Sequence, residues 1–133
     1  MRRLLLVVLL SLCSSVFSIS IEFESLYNIE RASELPIVMP QGVGWESKAV
    51  FNPAAIVIDS TVYLLYRSED CAGTGRWNGT SRIGLATSAD GFEFSRRSDP
   101  LISPTESYEI PGGCEDPRIV KIDDTYILTY TGY

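Results

Sequence analysis

The sequence predicts an all-β fold that forms part of a β-propeller, and three observations support this prediction. Short runs of apolar and β-branched residues, separated by turn residues, follow one another from residue 51 onward. A segment that starts at Asn52 matches a segment that starts at Asp116, without a gap, at an offset of 64 residues. The sequence after residue 50 contains no convincing amphipathic helix. Hairpins that recur in one register with a long spacer are typical of propeller blades.

Each element after residue 50 is a short strand or a tight turn. The predicted strands are Ala54–Ile58, Val62–Arg67, Arg82–Ser88, Phe92–Phe94, Ile119–Ile122 and Tyr126–Tyr130. The turns between them fall at Asp59-Ser60-Thr61, Asp90-Gly91 and Asp123-Asp124, and residues 68–80 form a polar loop. Before residue 50 the pattern is mixed. Residues 19–23 fit one strand, and residues 27–35 fit either a helical turn or a loop.

The internal match predicts two equivalent hairpins, residues 52–67 and 116–131, in adjacent blades. It aligns Pro53 with Pro117, Ile58 with Ile122, Asp59 with Asp123, Thr61 with Thr125, Leu64 with Leu128 and Tyr66 with Tyr130. The alternative is two unrelated hairpins that share turn residues, but a match without gaps favours a repeat. We therefore expect Asn52 and Asp116 to open toward one shared face. Because propellers need about four blades to close, we also expect this chain to be the N-terminal part of a longer protein.

The first 18 residues have the features of a secretory signal peptide. Met1-Arg2-Arg3 is basic, residues 4–12 are apolar apart from Ser11, and Val16-Phe17-Ser18 provides compact residues for cleavage. The apolar run is shorter than the roughly 20 residues of a membrane-spanning helix. An uncleaved signal anchor is the alternative. We predict cleavage after Ser18, a secreted location, a propeller domain over residues 19–133, and no membrane association after cleavage.

Composition and charge exclude several classes of protein. The chain is 45% hydrophobic and 21% charged, with a net charge of -6, which is ordinary for a globular protein. Loss of residues 1–18 leaves 9 basic and 17 acidic residues. An acidic chain without a basic cluster argues against nucleic acid as a partner and against binding to anionic membranes. Since the chain has no histidine, a histidine-dependent triad or zinc site is excluded within it.

Two further features concern modification. After signal cleavage Cys71 and Cys114 remain, and a disulfide between them is possible but is not decided by the sequence. Their spacing fits no zinc pattern, so we expect no metal.

Asn78-Gly79-Thr80 is an acceptor sequence for N-glycosylation, which predicts an exposed loop that carries a glycan if the host glycosylates it. An unused acceptor sequence is the alternative.

The most distinctive stretch is Gly112-Gly113-Cys114-Glu115-Asp116-Pro117-Arg118. Adjacent side chains on a strand point to opposite faces, so we expect one of the two carboxylates to face a site and the other to face structure. Pro117 should hold Asp116 in an extended conformation. The alternative is an ordinary turn in which Arg118 pairs with a nearby acid.

Four segments together resemble glycoside hydrolase family 130, over roughly residues 40–133. They are residues 51–54 (Phe-Asn-Pro-Ala), 66–68 (Tyr-Arg-Ser), 81–92 and 113–118 (Gly-Cys-Glu-Asp-Pro-Arg). The resemblance implies a five-bladed propeller with the activity of a β-mannoside phosphorylase or β-mannosidase. It also implies that Asp116 is the general acid and that Asn52 and Arg67 contact the sugar. Arg82 and Arg118 are further candidates for substrate binding.

The chemistry of glycoside cleavage adds further expectations. An inverting reaction needs a proton on the leaving oxygen and an attacking group on the opposite face. Asp116 can give this proton if enclosure or Glu115 raises its pKa. The expected substrate is an oligosaccharide without a cofactor, with inorganic phosphate as co-substrate in a phosphorylase. In the family, the phosphate-binding groups or the acids that replace them lie beyond Tyr133, so we expect this chain alone to be inactive.

Four questions stay open at this point. Furanosidases and invertase-like enzymes share the five-bladed fold, but they carry an aspartate where this chain has Asn52. A non-catalytic sugar-binding propeller would keep Asn52 and Arg67 without needing Asp116. Export favours hydrolysis, because phosphorolysis suits a phosphate-rich cytoplasm. Trp45 is either a platform for a sugar ring or an aromatic residue packed on the core.

Overall fold

A computed structural model describes residues 30–72, 78–110 and 112–133. The chain divides into two compact units, residues 1–34 and 35–133, and residues 30–34 are the described part of the first. The predicted signal peptide, the strand predicted at residues 19–23 and the start of the segment 27–35 lie outside the described residues.

The second unit consists of two antiparallel sheets, which confirms the all-β prediction. The first sheet has the order β1 (Ala49–Ile58), β2 (Thr61–Glu69), β3 (Ser81–Ser88) and β4 (Ser95–Arg96). The second sheet pairs β5 (Cys114–Ile122) with β6 (Thr125–Gly132). Among the described residues, the single helical element is the 3₁₀ turn Gly44–Glu46. No helix in this part of the chain is long and apolar enough to cross a membrane.

The strand predicted at Phe92–Phe94 is wrong, because β4 begins only at Ser95. The Oδ1 atom of Asp90 accepts the backbone N–H groups of Phe92 and Glu93, at 2.8 and 2.9 Å. These bonds close a turn around the aspartate, so the two residues do not enter a strand ladder. The other strands predicted after residue 50 are present, and each extends beyond its predicted bounds at one end or both.

The register of the hairpins confirms the repeat. Ile58 pairs with Thr61 at the end of the first hairpin, and Ile122 pairs with Thr125 at the end of the second. Each hairpin has a bulge at the same place, between residues 51 and 54 and between residues 115 and 118. Both bulges contain an X-Pro pair whose first residue is left-handed, with φ of +47° at Asn52 and +50° at Asp116. The two hairpins are therefore equivalent halves of two blades.

A second repeat appears only in the structure. The hydroxyl of Tyr66 donates to the carboxylate of Glu46, and that of Tyr130 donates to Glu109 at 2.8 Å. The two glutamates are buried, with 4% and 1% exposure. The tyrosine and glutamate are 20 residues apart in the first case and 21 in the second. An ungapped comparison that aligns the two tyrosines therefore does not align the two glutamates. Each hairpin is thus attached to the segment that precedes it by a hydrogen bond to a buried glutamate.

The buried apolar residues join the two sheets. Leu65, Ile83 and Cys114 form the centre of the core, and Leu85, Leu101, Ile102, Ile119 and Leu128 pack around them. The backbone N–H of Ser81 donates to the carbonyl of Gly112 at 2.8 Å. Gly113 lies against the Ser81 backbone with a φ of +115°, where a Cβ would overlap it. This close approach brings the Glu-Asp-Pro-Arg segment beside β3.

Trp45 has a packing role in this structure. Its ring stacks on Tyr66, with 6.2 Å between centroids and 15° between planes, and its Nε1–H donates to the carbonyl of Ser98 at 3.0 Å. A Cβ on Gly84 would overlap the Tyr66 ring and approach Trp45. The glycine therefore makes room for the aromatic pair.

The two cysteines have free thiols in this structure. Cys71 is exposed and Cys114 is buried. Burial, together with the charge and hydrogen bond of Glu109, raises the pKa of Cys114 to about 11. Asn78 is exposed, as expected for the acceptor of a glycan, and adopts a φ of +56°.

Candidate active site

The two bulges bring Asn52 and Asp116 together, which confirms the prediction of one shared face. The Nδ2 amide of Asn52 donates to Oδ1 of Asp116 at 2.8 Å, although the residues are 64 apart in sequence. The expectation that Pro117 holds Asp116 extended is wrong, because Asp116 has a φ of +50°. Asparagine and aspartate tolerate the left-handed region better than other non-glycine residues. The bulge, a feature of strand pairing, requires that conformation here.

Arg67 on β2 is the centre of the site. Its Nη1 lies 3.3 Å from Oδ1 of Asp116, and its Nη2 lies 2.7 Å from Oε1 of Glu115. Its Nε–H donates to the hydroxyl of Ser81 at 3.0 Å, and its guanidinium lies 4.5 Å from the centre of the Phe51 ring. The expectation that Glu115 and Asp116 face opposite sides is therefore wrong. The bulge interrupts the alternation of side chains, and both carboxylates reach one guanidinium.

The pKa of Asp116 is lowered, so the raised pKa on which proton donation depends is absent from the free chain. The hydrogen bond from Asn52 is the largest cause, and it is opposed by partial burial. The hydrogen bond and charge of Arg67 and the charge of Arg118 lower the pKa further. The side chain keeps 36% of its surface exposed, so the cost of removing it from water is small. Asp116 is therefore a carboxylate at neutral pH in the free chain.

An open cleft of about 390 Å³ lies beside Arg67. It is lined by Lys48, Arg67, Glu69, Glu115 and Tyr133. Lys48 pairs with Glu69, and Arg67 pairs with Glu115. Sequence reasoning missed Lys48 and Glu69. Period-two alternation along β2 could have identified Glu69, since it is two residues from Arg67 and shares its face.

The two remaining arginines differ in their surroundings. Arg82 donates from Nη1 to Oδ2 of Asp70 at 2.5 Å and to the carbonyl of Thr80 at 3.4 Å. These contacts tie β3 to the loop before it and do not include the Asp116 cluster. Arg118 donates to the carbonyl of Pro117 at 2.7 Å, and its charge acts on Asp116. Among the described residues, no group of three or more acidic or cysteine side chains is arranged to hold a metal ion.

The comparison with known families agrees with the fold. The family of beta-1,4-mannooligosaccharide phosphorylases, glycoside hydrolase family 130, matches residues 30–133. The chain belongs to this family. Its two hairpins are accordingly parts of two blades of a five-bladed propeller.

Similar proteins include two curated phosphorylases from Thermoanaerobacter sp. (strain X514). The 1,2-beta-oligomannan phosphorylase is 40% identical over 110 residues, which cover 81% of this chain and 37% of that protein. The beta-1,2-mannobiose phosphorylase is 34% identical over 119 residues, and the match covers 38% of that protein. This chain therefore spans less than two fifths of the curated relatives that it matches.

Solved structures show the same likeness. A glycosyl hydrolase from Bacteroides ovatus superposes with a TM-score of 0.69 at 38% identity, over 77% of this chain and 34% of that chain. A second solved structure has a TM-score of 0.61 at 46% identity. It is described with glycoside hydrolases of this family that target beta-1,2 mannosidic linkages in Candida mannan. That match covers 67% of this chain and 26% of the other.

Proposed function

We propose that this chain supplies the acid half of an active site that cleaves β-1,2-mannosidic bonds by an inverting mechanism. The observation that carries the proposal is the cluster of Asn52, Arg67 and Asp116, built from equivalent bulges of two blades. The two curated relatives and the structure at 46% identity are described with β-1,2 linkages. The family as a whole is described with β-1,4 linkages. The similarity therefore favours a β-1,2-mannoside as the substrate.

In the proposed reaction, Asp116 transfers a proton to the leaving oxygen while the bond from that oxygen to the anomeric carbon breaks. A phosphate oxygen, or water assisted by a base, forms the new bond on the opposite face. Asp116 must gain its proton before this step, since its pKa is low in the free chain. A bound sugar would displace water from the exposed part of the carboxylate and so raise its pKa. After Asp116 has given its proton to the leaving group, it takes up a new proton from the solvent or from the incoming phosphate.

The neighbouring cleft suits a neutral sugar. Its cations and carboxylates are paired with one another, Lys48 with Glu69 and Arg67 with Glu115. Such pairs leave little net charge for an anion but offer hydrogen-bond donors and acceptors side by side. Sugar hydroxyls both donate and accept, so they match this lining.

We propose phosphorolysis as the reaction, with inorganic phosphate as co-substrate and no cofactor. The support is that both curated relatives are phosphorylases. Hydrolysis is the second candidate. It is supported by the glycoside hydrolases named with the structure at 46% identity and by the secretory signal that the sequence predicts at residues 1–18. Membership of the family removes the furanosidase and invertase-like alternative.

The test is a chimera in which residues 30–133 replace the matching segment of the Thermoanaerobacter 1,2-beta-oligomannan phosphorylase. We expect phosphate-dependent release of mannose 1-phosphate from β-1,2-mannobiose. Asp116→Asn should lower kcat by at least about 100-fold, the lower end of what a general acid contributes. Asp123→Asn is the matched control, because Asp123 is also left-handed, with a φ of +52°, but lies in the turn of the same hairpin.

The outcomes separate the candidate functions. Release of free mannose without phosphate would support hydrolysis. Sugar binding without turnover in the parent chimera, or full activity of Asp116→Asn, would refute the proposed role of Asp116. The first of these results would favour the non-catalytic sugar-binding alternative.

We also propose that the protein is exported. The basic start, the apolar run and the compact residues before position 19 support this proposal. Mass spectrometry of secreted material should find Ile19 at the N-terminus. An intact Met1 on secreted protein would refute cleavage after Ser18.

A further inference from the structure

We propose that Asn52 is a positioning residue for Asp116, and that it holds one carboxylate oxygen so that the other is presented to the substrate. The proposal rests on the function proposed above for Asp116. It assigns to Asn52 a task different from the direct sugar contact that the family resemblance implies. Its basis is the geometry that joins the two equivalent bulges.

Both donors from the first blade bind the same oxygen. Asn52 donates from Nδ2 to Oδ1 of Asp116 at 2.8 Å, and Arg67 lies with Nη1 3.3 Å from that same Oδ1. In the described part of the chain no hydrogen bond is found to Oδ2 of Asp116. The side chain is 36% exposed. Oδ1 is thus held by the protein, and Oδ2 is the oxygen open to carry the proton and to meet the leaving group.

The backbone of Asn52 serves this contact. Its φ of +47° is a left-handed conformation that asparagine adopts more readily than most residues. The equivalent position in the second blade is Asp116, with a φ of +50°. The same bulge therefore points an amide from one blade at a carboxylate from the other. The N–H that donates to Asp116 is occupied and is not available to a sugar hydroxyl.

The choice of asparagine over aspartate at position 52 has a direct electrostatic reason. Two carboxylates at this distance would repel each other, and one of them would hold its proton to a higher pH than an isolated aspartate does. The amide instead donates to the charged form of Asp116 and stabilises it. Asn52 therefore determines both the direction of the carboxylate and the pH at which it takes up its proton.

The test is titration of the Asp116 carboxyl carbon by NMR in the complete 133-residue chain, without substrate. The signal is assigned by its loss in Asp116→Asn. In Asn52→Ala the pKa of Asp116 should rise toward the ordinary value of about 3.9 for aspartate. In Asn52→Asp, which keeps a residue that tolerates the left-handed conformation, one carboxyl of the pair should titrate well above that value. This second variant keeps the proposal testable if Asn52→Ala fails to fold.

Asn78→Ala is the matched control, because Asn78 is also left-handed, with a φ of +56°, and is exposed in a different loop. It should leave the pKa of Asp116 unchanged. The proposal is overturned if Asp116 titrates at the wild-type pH in Asn52→Ala, if Asn78→Ala shifts it equally, or if the two aspartates of Asn52→Asp titrate independently. None of these measurements uses turnover, so an inactive chimera would count against the proposed function and leave the test of Asn52 intact.

Discussion

Replacement of Tyr66 by phenylalanine tests the attachment of the first hairpin to its preceding segment. Tyr66 is 1% exposed, and its hydroxyl donates to the carboxylate of Glu46, which is 4% exposed. The substitution removes that hydroxyl and leaves Glu46 with Arg96, whose Nη1 lies 3.0 Å from its second oxygen. A hydrogen bond to a charged group contributes about 1.5–3 kcal/mol to stability. We therefore expect Tyr66→Phe to lower the free energy of unfolding by about 2 kcal/mol.

The matched control is Tyr130→Phe, the equivalent change in the second hairpin. Tyr130 is 40% exposed. Its acceptor Glu109 keeps the backbone N–H groups of Thr105 and Glu106, at 2.8 and 3.1 Å, when the hydroxyl is removed. We therefore expect a loss of about 1 kcal/mol or less, because the acceptor keeps other donors and water can reach the half-exposed site.

Urea unfolding followed by tryptophan fluorescence measures both losses on the complete chain. For a domain of this size, 2 kcal/mol corresponds to a fall in Tm of about 8–16 °C. If Tyr66→Phe is as stable as the parent chain, or if Tyr130→Phe is the more damaging change, the reasoning from burial and from alternative donors is refuted.

Two further predictions concern titration and thiol reactivity. Burial raises the pKa of Asp70, but hydrogen bonds from Thr80, Arg82 and the backbone of residue 72 outweigh this effect, so the pKa is lowered. The pKa of Glu109 is also lowered, chiefly by backbone N–H donors. A carboxyl whose pKa is lower in the folded state than in the unfolded state stabilises the fold above the unfolded-state pKa, and this stabilisation is lost as pH falls through the folded-state pKa. Tm should therefore be constant from about pH 7 to 5 and fall below about pH 4. A Tm that is unchanged down to pH 3 would contradict this. Iodoacetamide at pH 8 should modify exposed Cys71 rapidly and buried Cys114, with its pKa of about 11, only after unfolding. Peptide mapping checks this, and equal modification of both thiols in the native chain would disprove it.

Much of the fold was predictable because its signals are local. Alternating apolar residues identified the strands, and the paired turn residues at 59–60 and 123–124 identified where the hairpins reverse. The repeat at an offset of 64 residues related two blades before any contact between them was known. The strand predicted at Phe92–Phe94 failed because the side chain of Asp90 takes the backbone N–H groups that a ladder would need.

The site was predictable in its residues but not in its geometry. The motifs around Asn52, Arg67 and Asp116 were recognisable in the sequence, whereas the rules of strand alternation placed Glu115 and Asp116 on opposite faces. The structure overrode those rules, because a bulge turns Asp116 into the left-handed region and brings both carboxylates to Arg67. The hydrogen bond from Asn52, together with the hydrogen bond and charge of Arg67, lowers the pKa of Asp116, which is opposite to the shift that proton donation requires.

Residue types and local periodicity thus determined the strands, the turns and the identity of the candidate acid. Only the tertiary structure decided which groups surround that acid, because Asn52 and Arg67 approach it from positions 64 and 49 residues earlier in the chain. The state of a carboxylate depends on the donors and charges within a few ångströms of it. Those neighbours are set by the packing of one blade against the next, which no local pattern encodes.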